Sequence, residues 1–172
     1  MASKSKTKGK AGEREVSKIF NSVFGGSWQR VFGSGAFVGG KNSIRMQTLS
    51  NGQIKATKAD IIPPDEMDIV IEVKKGYSDF PFHQVCQQKE IRYIEEWLDE
   101  VYTCLDNEFW LLCMGITRRG WYVLVDPELG NFKVENHSVY FSPKQNKKYI
   151  LTSPLDSFLI TNKEEIIRLC RI

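Results

Sequence analysis

The stretch KADIIPPDEMDIVIEVKK, residues 58–75, decides the fold. It reads as two extended arms about a turn: residues 58–62, then Pro63-Pro64-Asp65-Glu66, then 68–75. On the second arm side chains alternate, so Val70, Glu72 and Lys74 point one way and Ile69, Ile71 and Val73 the other. An acid and a lysine closing a run otherwise fit for burial need partners, because buried charge is costly unless paired or bound. With the turn centred near Asp65, Asp60 stands opposite Val70. Glu72 is then its diagonal neighbour on the same face, roughly 7–8 Å away at the Cα atoms. A register slip of one residue would turn Asp60 to the other face and break this arrangement. Two carboxylates so placed can share a divalent cation, and Mg²⁺ favours one or two carboxylates plus water and phosphate oxygens. Lys74 can hold the attacking water or meet the charge of the transition state.

Upstream, residues 12–24 carry Val16, Ile19, Phe20, Val23 and Phe24 at helical spacing, and Gly25-Gly26 ends the pattern. At about 100° per residue, Glu13 lies roughly 50° from the centre of that stripe and Glu15 roughly 110°. Glu13 is therefore a candidate third acid, acting directly or through water. Residues 27–32 suggest a short strand. From Gly33 to Thr57 there is no clean period, and seven of the thirteen glycines lie between residues 25 and 52. Within that stretch 44–49 is a possible strand. Gly33-Ser34-Gly35 reads either as a phosphate cradle or as a tight turn. Lys41, Arg45, Lys55 and Lys58 either follow a DNA backbone or form a solvated loop.

Downstream, residues 76–82 make a loop and 83–105 an amphipathic helix with the stripe Ile91, Ile94, Leu98, Val101 and Leu105. Two strands follow, 109–117 and 120–125. The first is a continuous apolar run (FWLLCMGI), which suggests burial on both faces. Arg118-Arg119 joins them as a surface turn, and Trp110, Trp121 and Tyr122 read as core. Residues 131–142 and 147–152 can pair. A last helix starts near Thr161, where Thr161 and Glu164 fit a capping box. The order predicts an α/β fold with a mixed central sheet flanked by helices, plus a C-terminal β/α extension.

The chain has 172 residues, 41% of them hydrophobic, enough for one domain with a real core. We divide it into a flexible basic arm (1–11), a core (12–126) and a C-terminal extension of the same domain (127–172). The net charge is +3, but Lys4, Lys6, Lys8 and Lys10 give the first ten residues +4 and leave the rest at −1. Four scattered cysteines without paired spacing argue for a reducing compartment. His83 and Cys86 lack a second ligand pair for zinc. There is no G-x-x-x-x-G-K-S/T, and no apolar run is long enough for a membrane span. These features predict an intracellular, cytoplasmic protein.

Asp60 followed by Glu72-Val73-Lys74 resembles the D-x(n)-E-x-K signature of the PD-(D/E)xK nuclease superfamily. The proline that usually precedes the aspartate is absent; Ala59 stands there. Gly12-Glu13-Arg14-Glu15-Val16 resembles the opening helix of archaeal-type Holliday junction resolvases and related phage nucleases. Arg30-Val31-Phe32-Gly33-Ser34-Gly35 is similar to their R-x-x-G-S-G segment, and Lys58-Ala59-Asp60-Ile61 to their K-G-D-I. The resemblance spans residues 9–126 and implies a restriction-endonuclease-like core with Mg²⁺-dependent hydrolysis of DNA, Mn²⁺ being a substitute. It implies that Glu13, Asp60 and Glu72 are catalytic metal ligands, with the Val73 carbonyl as a further one, and that Lys74 is the catalytic lysine. Arg30 and Ser34 would contact DNA near the scissile phosphate, and Gln84 or Gln88 would be an auxiliary polar residue. Lys8, Lys10, Lys41 and Lys58 complete the expected DNA contacts.

The expected function is a metal-dependent DNA endonuclease specific for structure, of junction-resolvase type, acting as a homodimer on branched DNA. The alternatives are a general phage or mobile-element nuclease on duplex or single strands, and a non-catalytic DNA-binding or packaging module on the same fold. A protein-interaction domain with a solubilising arm is a third.

Overall fold

In the computed structural model, which describes residues 4–31 and 59–171, the chain starts with helix α1 (Lys4–Phe24). Strands β1 (Gln29–Arg30), β2 (Ile61–Ile62) and β3 (Ile69–Tyr77) follow. Helices α2 (Phe82–Cys86) and α3 (Arg92–Cys104) lead to β4 (Phe109–Ile116) and β5 (Gly120–Val125). Strands β6 (His137–Ser142) and β7 (Lys147–Thr152) and helices α4 (Leu155–Thr161) and α5 (Lys163–Cys170) complete it.

Five strands form one sheet in the order β3-β4-β5-β7-β6. The β3–β4 pair is parallel and the others antiparallel. A parallel pair needs a crossover, and α2 with α3 supplies it. Every residue of β4 is buried, as a central strand covered on both faces requires. Period-2 alternation sorts the strands onto two cores. Ile69, Ile71, Val73, Phe109, Leu111 and Val123 pack with α1, α4 and α5. Val70, Trp110, Leu112 and Leu124 pack with α2 and α3 through Val85, Ile94, Leu98 and Val101. A fully buried Ile71 or Leu111 contributes about 1.5–3 kcal/mol over leaving it exposed.

Several expectations are corrected. Helix α1 begins at Lys4, so residues 4–11 are helical and not an arm ahead of a helix at Gly12. Gly12 is a close-approach point within it. A Cβ there would sit 2.8 Å from Lys75 Cβ, so the glycine lets α1 lie against β3. The two arms of 58–75 do not form a regular hairpin. β2 pairs with β1 (Gln29↔Ile62, Arg30↔Ile61), while β3 joins the main sheet through β4. Pro63 and Pro64, which lack N–H groups, cannot extend a ladder from β2. The helix expected over 83–105 is two helices, broken where Gln88 adopts φ 53°. Thr161 does not cap the last helix, for it ends α4. Asn162 stands between α4 and α5, its side chain accepting from Lys133 N–H and donating to the Lys133 and Phe158 carbonyls.

The C-terminal β/α extension continues the central sheet. β7 pairs with β5 (Leu124↔Leu151), and β6 extends the sheet from β7. The possible strand at 44–49 and the segment 33–57 lie outside the described residues.

Candidate active site

The site forms at the free edge of β3, where α1, β1, β2 and α3 converge on it. Asp60 is held by three backbone-linked bonds. Its N–H donates to the Ile71 carbonyl (3.1 Å), its carbonyl accepts from Val31 N–H (2.9 Å), and its Oδ2 accepts from Val73 N–H (2.9 Å). Asp60 thus stands beside Ile71–Val73 and not directly opposite Val70, which brings its carboxyl group to Glu72. The two carboxyl groups interact directly. Burial first, then the charge of Glu72, push Asp60 up to about 7, while Val73 N–H and Lys74 oppose this.

Glu72 is buried, and its Oε1 lies 2.8 Å from Lys74 Nζ. Lys74 also pairs with Glu100 on α3. Burial pulls the Lys74 ammonium down, but Glu72 and Glu100 outweigh it and hold the lysine charged, above its ordinary value. The alternation along β3 that predicted Glu72 and Lys74 on one face is what aims both toward the α3 side.

Glu13 is buried on α1, with Oε2 3.0 Å from Arg30 Nη1. Arg30 also donates to the Val31 carbonyl. Burial, then the Asp60 charge, raise Glu13, and Arg30 and Lys10 lower it. So Glu13 faces Asp60 with Arg30 as its direct partner, and Lys10, exposed on α1, is close enough to act on it. Gln84 lies half-buried on α2, and Gln88 is exposed in the turn after it. Ser34, Lys41 and Lys58 lie outside the described residues, as does the Lys8 side chain.

Among the described residues no group of three or more His, Cys, Asp or Glu side chains converges to hold an ion. The donor set that fits a metal is the Asp60–Glu72 pair: two oxygen donors, desolvated and mutually repelling, a combination that a hard dication relieves. Val73 contributes its side chain to the core and its N–H to Asp60. Sequence reasoning missed Glu100. It is one of four acids on α3 (Glu95, Glu96, Asp99, Glu100), and helical periodicity does not single it out. It also missed the set in which Glu15 pairs with Lys75 and accepts from Trp121 Nε1 (3.2 Å).

A five-stranded mixed sheet with helices on both faces, carrying Glu72 and Lys74 on an edge strand with Asp60 beside it, is a restriction-endonuclease-like fold. Residues 4–168 match the family described as Phage putative PDDEXK endonuclease, and the chain belongs to that family and to the PD-(D/E)xK nuclease superfamily. No curated protein and no solved structure matches it. Among the described residues no helix is long and apolar enough to cross a membrane.

Proposed function

We propose that the chain hydrolyses DNA phosphodiester bonds as a divalent-metal-dependent endonuclease, with Mg²⁺ as the ion. The observation that supports this best is the buried Asp60–Glu72 pair with Lys74 beside it. Asp60 and Glu72 would hold the ion, with the Val73 carbonyl as a further donor. Bound there, it would supply Lewis-acid polarisation of the phosphate and a more acidic water. The Val73 N–H fixes one Asp60 oxygen, so that carboxylate is oriented before substrate arrives. Lys74, kept cationic by Glu72 and Glu100, meets the negative charge that grows on the phosphate oxygens. Water attacks phosphorus in line and the bond to the 3′ oxygen breaks, leaving a 5′-phosphate and a 3′-hydroxyl. Glu13 acts from α1 by holding Arg30 toward the incoming backbone.

The experiment is cleavage of a labelled four-way junction and of a linear duplex, with Mg²⁺, by the native protein and by Glu72→Ala. Native cleavage that Glu72→Ala loses by at least about a hundredfold supports the reading, on the scale of removing one transition-state contact. Cleavage that Glu72→Ala retains would sink it. The junction resemblance at 12–16 and 30–35 favours branched DNA, and two symmetric cuts would suit a C₂ homodimer. Equal cutting of both substrates would select the general nuclease instead.

A further inference from the structure

Helix α1 has two unlike faces. Gly12, Glu13, Val16, Ser17 and Phe20 are buried, whereas Lys10, Arg14 and Lys18 are exposed. The three cations stand at i, i+4 and i+8. At about 100° per residue they fall within about 80° of one another and form one ridge. With a rise of 1.5 Å per residue the ridge is about 12 Å long.

No acid interrupts the row. The helix has two acids, and both are engaged off the ridge, Glu13 with Arg30 and Glu15 with Lys75. Among the described residues Lys10, Arg14 and Lys18 form no ion pair, whereas Lys74, Lys75, Arg92, Lys144, Lys147 and Arg168 each do. Like charges at i, i+4 destabilise a helix. Folding therefore gives no reason for three cations in line, and a polyanion does. The ridge also leads to the site. Lys10 lies about 60° from Glu13 around the helix, its charge acts on Glu13, and Glu13 faces Asp60.

We infer that one strand of the DNA backbone lies along Lys10, Arg14 and Lys18 on its way to the bond that is cut. The inference rests on the nuclease reading and assigns the exposed face of α1 as its docking surface. A DNA strand carries one phosphate per about 3.4 Å of axis, so the ridge reaches about three of them. Contacts of this kind fix the position of the duplex without reading its sequence.

The test is binding of a labelled duplex in metal-free buffer, read by fluorescence anisotropy from about 50 to about 200 mM salt. The native protein is compared with the triple variant Lys10→Gln, Arg14→Gln, Lys18→Gln. The slope of log affinity against log salt should become shallower by about 2.7, at about 0.9 per phosphate contact. Affinity at the lowest salt should fall by at least about tenfold. Arg14→Gln alone should flatten the slope by about one. A control of equal charge, Lys133→Gln, Lys144→Gln, Lys148→Gln, removes exposed cations on or beside β6 and β7 and should leave the slope within about half a unit of the native one. All these side chains are exposed, and melting each variant checks the fold. A slope that the ridge variant flattens by less than about one, or no more than the control does, overturns the docking surface even where Mg²⁺-dependent cleavage is intact. No DNA binding by the native protein overturns the nuclease reading as well.

Discussion

Asp60 bears the electrostatic strain of the site. Its folded carboxyl titrates near 7 against 3.8 for an ordinary aspartate, because burial and Glu72 disfavour its charge. The folded state therefore keeps a proton that the unfolded chain has released, and metal-free stability falls as pH rises between those values. The raised Glu13 adds in the same direction. Asp60→Asn should raise the metal-free melting temperature at about pH 8, by about 2–4 °C per kcal/mol relieved, with the gain shrinking toward about pH 4. The same variant should not cleave DNA. Melting curves across that range check the sign, and a gain largest at low pH would refute it. Much at this scale was legible from period-2 alternation, which places Glu72 and Lys74 on one face and Val73 on the other. Glu100 was not, because contact across a fold is not encoded by spacing within one helix.

At the scale of elements, the short helices near the C-terminus depend on one residue. Asn162 is 2% exposed; its side chain ties α4 to the segment at Lys133 through three bonds, and its backbone carbonyl accepts from Ile166 N–H in α5. Asn162→Ala leaves the Lys133 N–H and both carbonyls short of a partner, which should cost about 1–3 kcal/mol. Denaturant unfolding with an unchanged slope and a lower midpoint would show it, and an unchanged midpoint would contradict it. The capping box at Thr161 and Glu164 predicted a helix start nearly in place, yet the bonding residue is the next one along. The amphipathic stripe over 91–105 located α3 well. The break before it was hidden because a left-handed backbone at Gln88 has no glycine to announce it.

For the whole molecule, the pair of repelling carboxylates makes the fold itself a reporter of metal. At about pH 8, Mg²⁺ at a hundred times its dissociation constant should stabilise the native protein by about 2.7 kcal/mol. Glu72→Gln should lose most of that rise. Thermal melts with and without Mg²⁺ decide it, and an equal rise in both proteins would place the ion elsewhere. By itself the sequence determined the α/β class, the buried strand at 109–116, the helix stripe at 16–24 and the placing of Glu72 and Lys74 on one face of their strand. Each of these follows from local periodicity or from which residue types tolerate burial. Tertiary structure alone decided that β2 leaves β3 for β1, that residues 137–152 extend the central sheet, and that Arg30 meets Glu13. It also brought Glu15, Lys75 and Trp121 around one cavity. Strand partners and side-chain contacts between distant segments depend on which surfaces meet once the chain is packed, and spacing along the sequence carries no record of that.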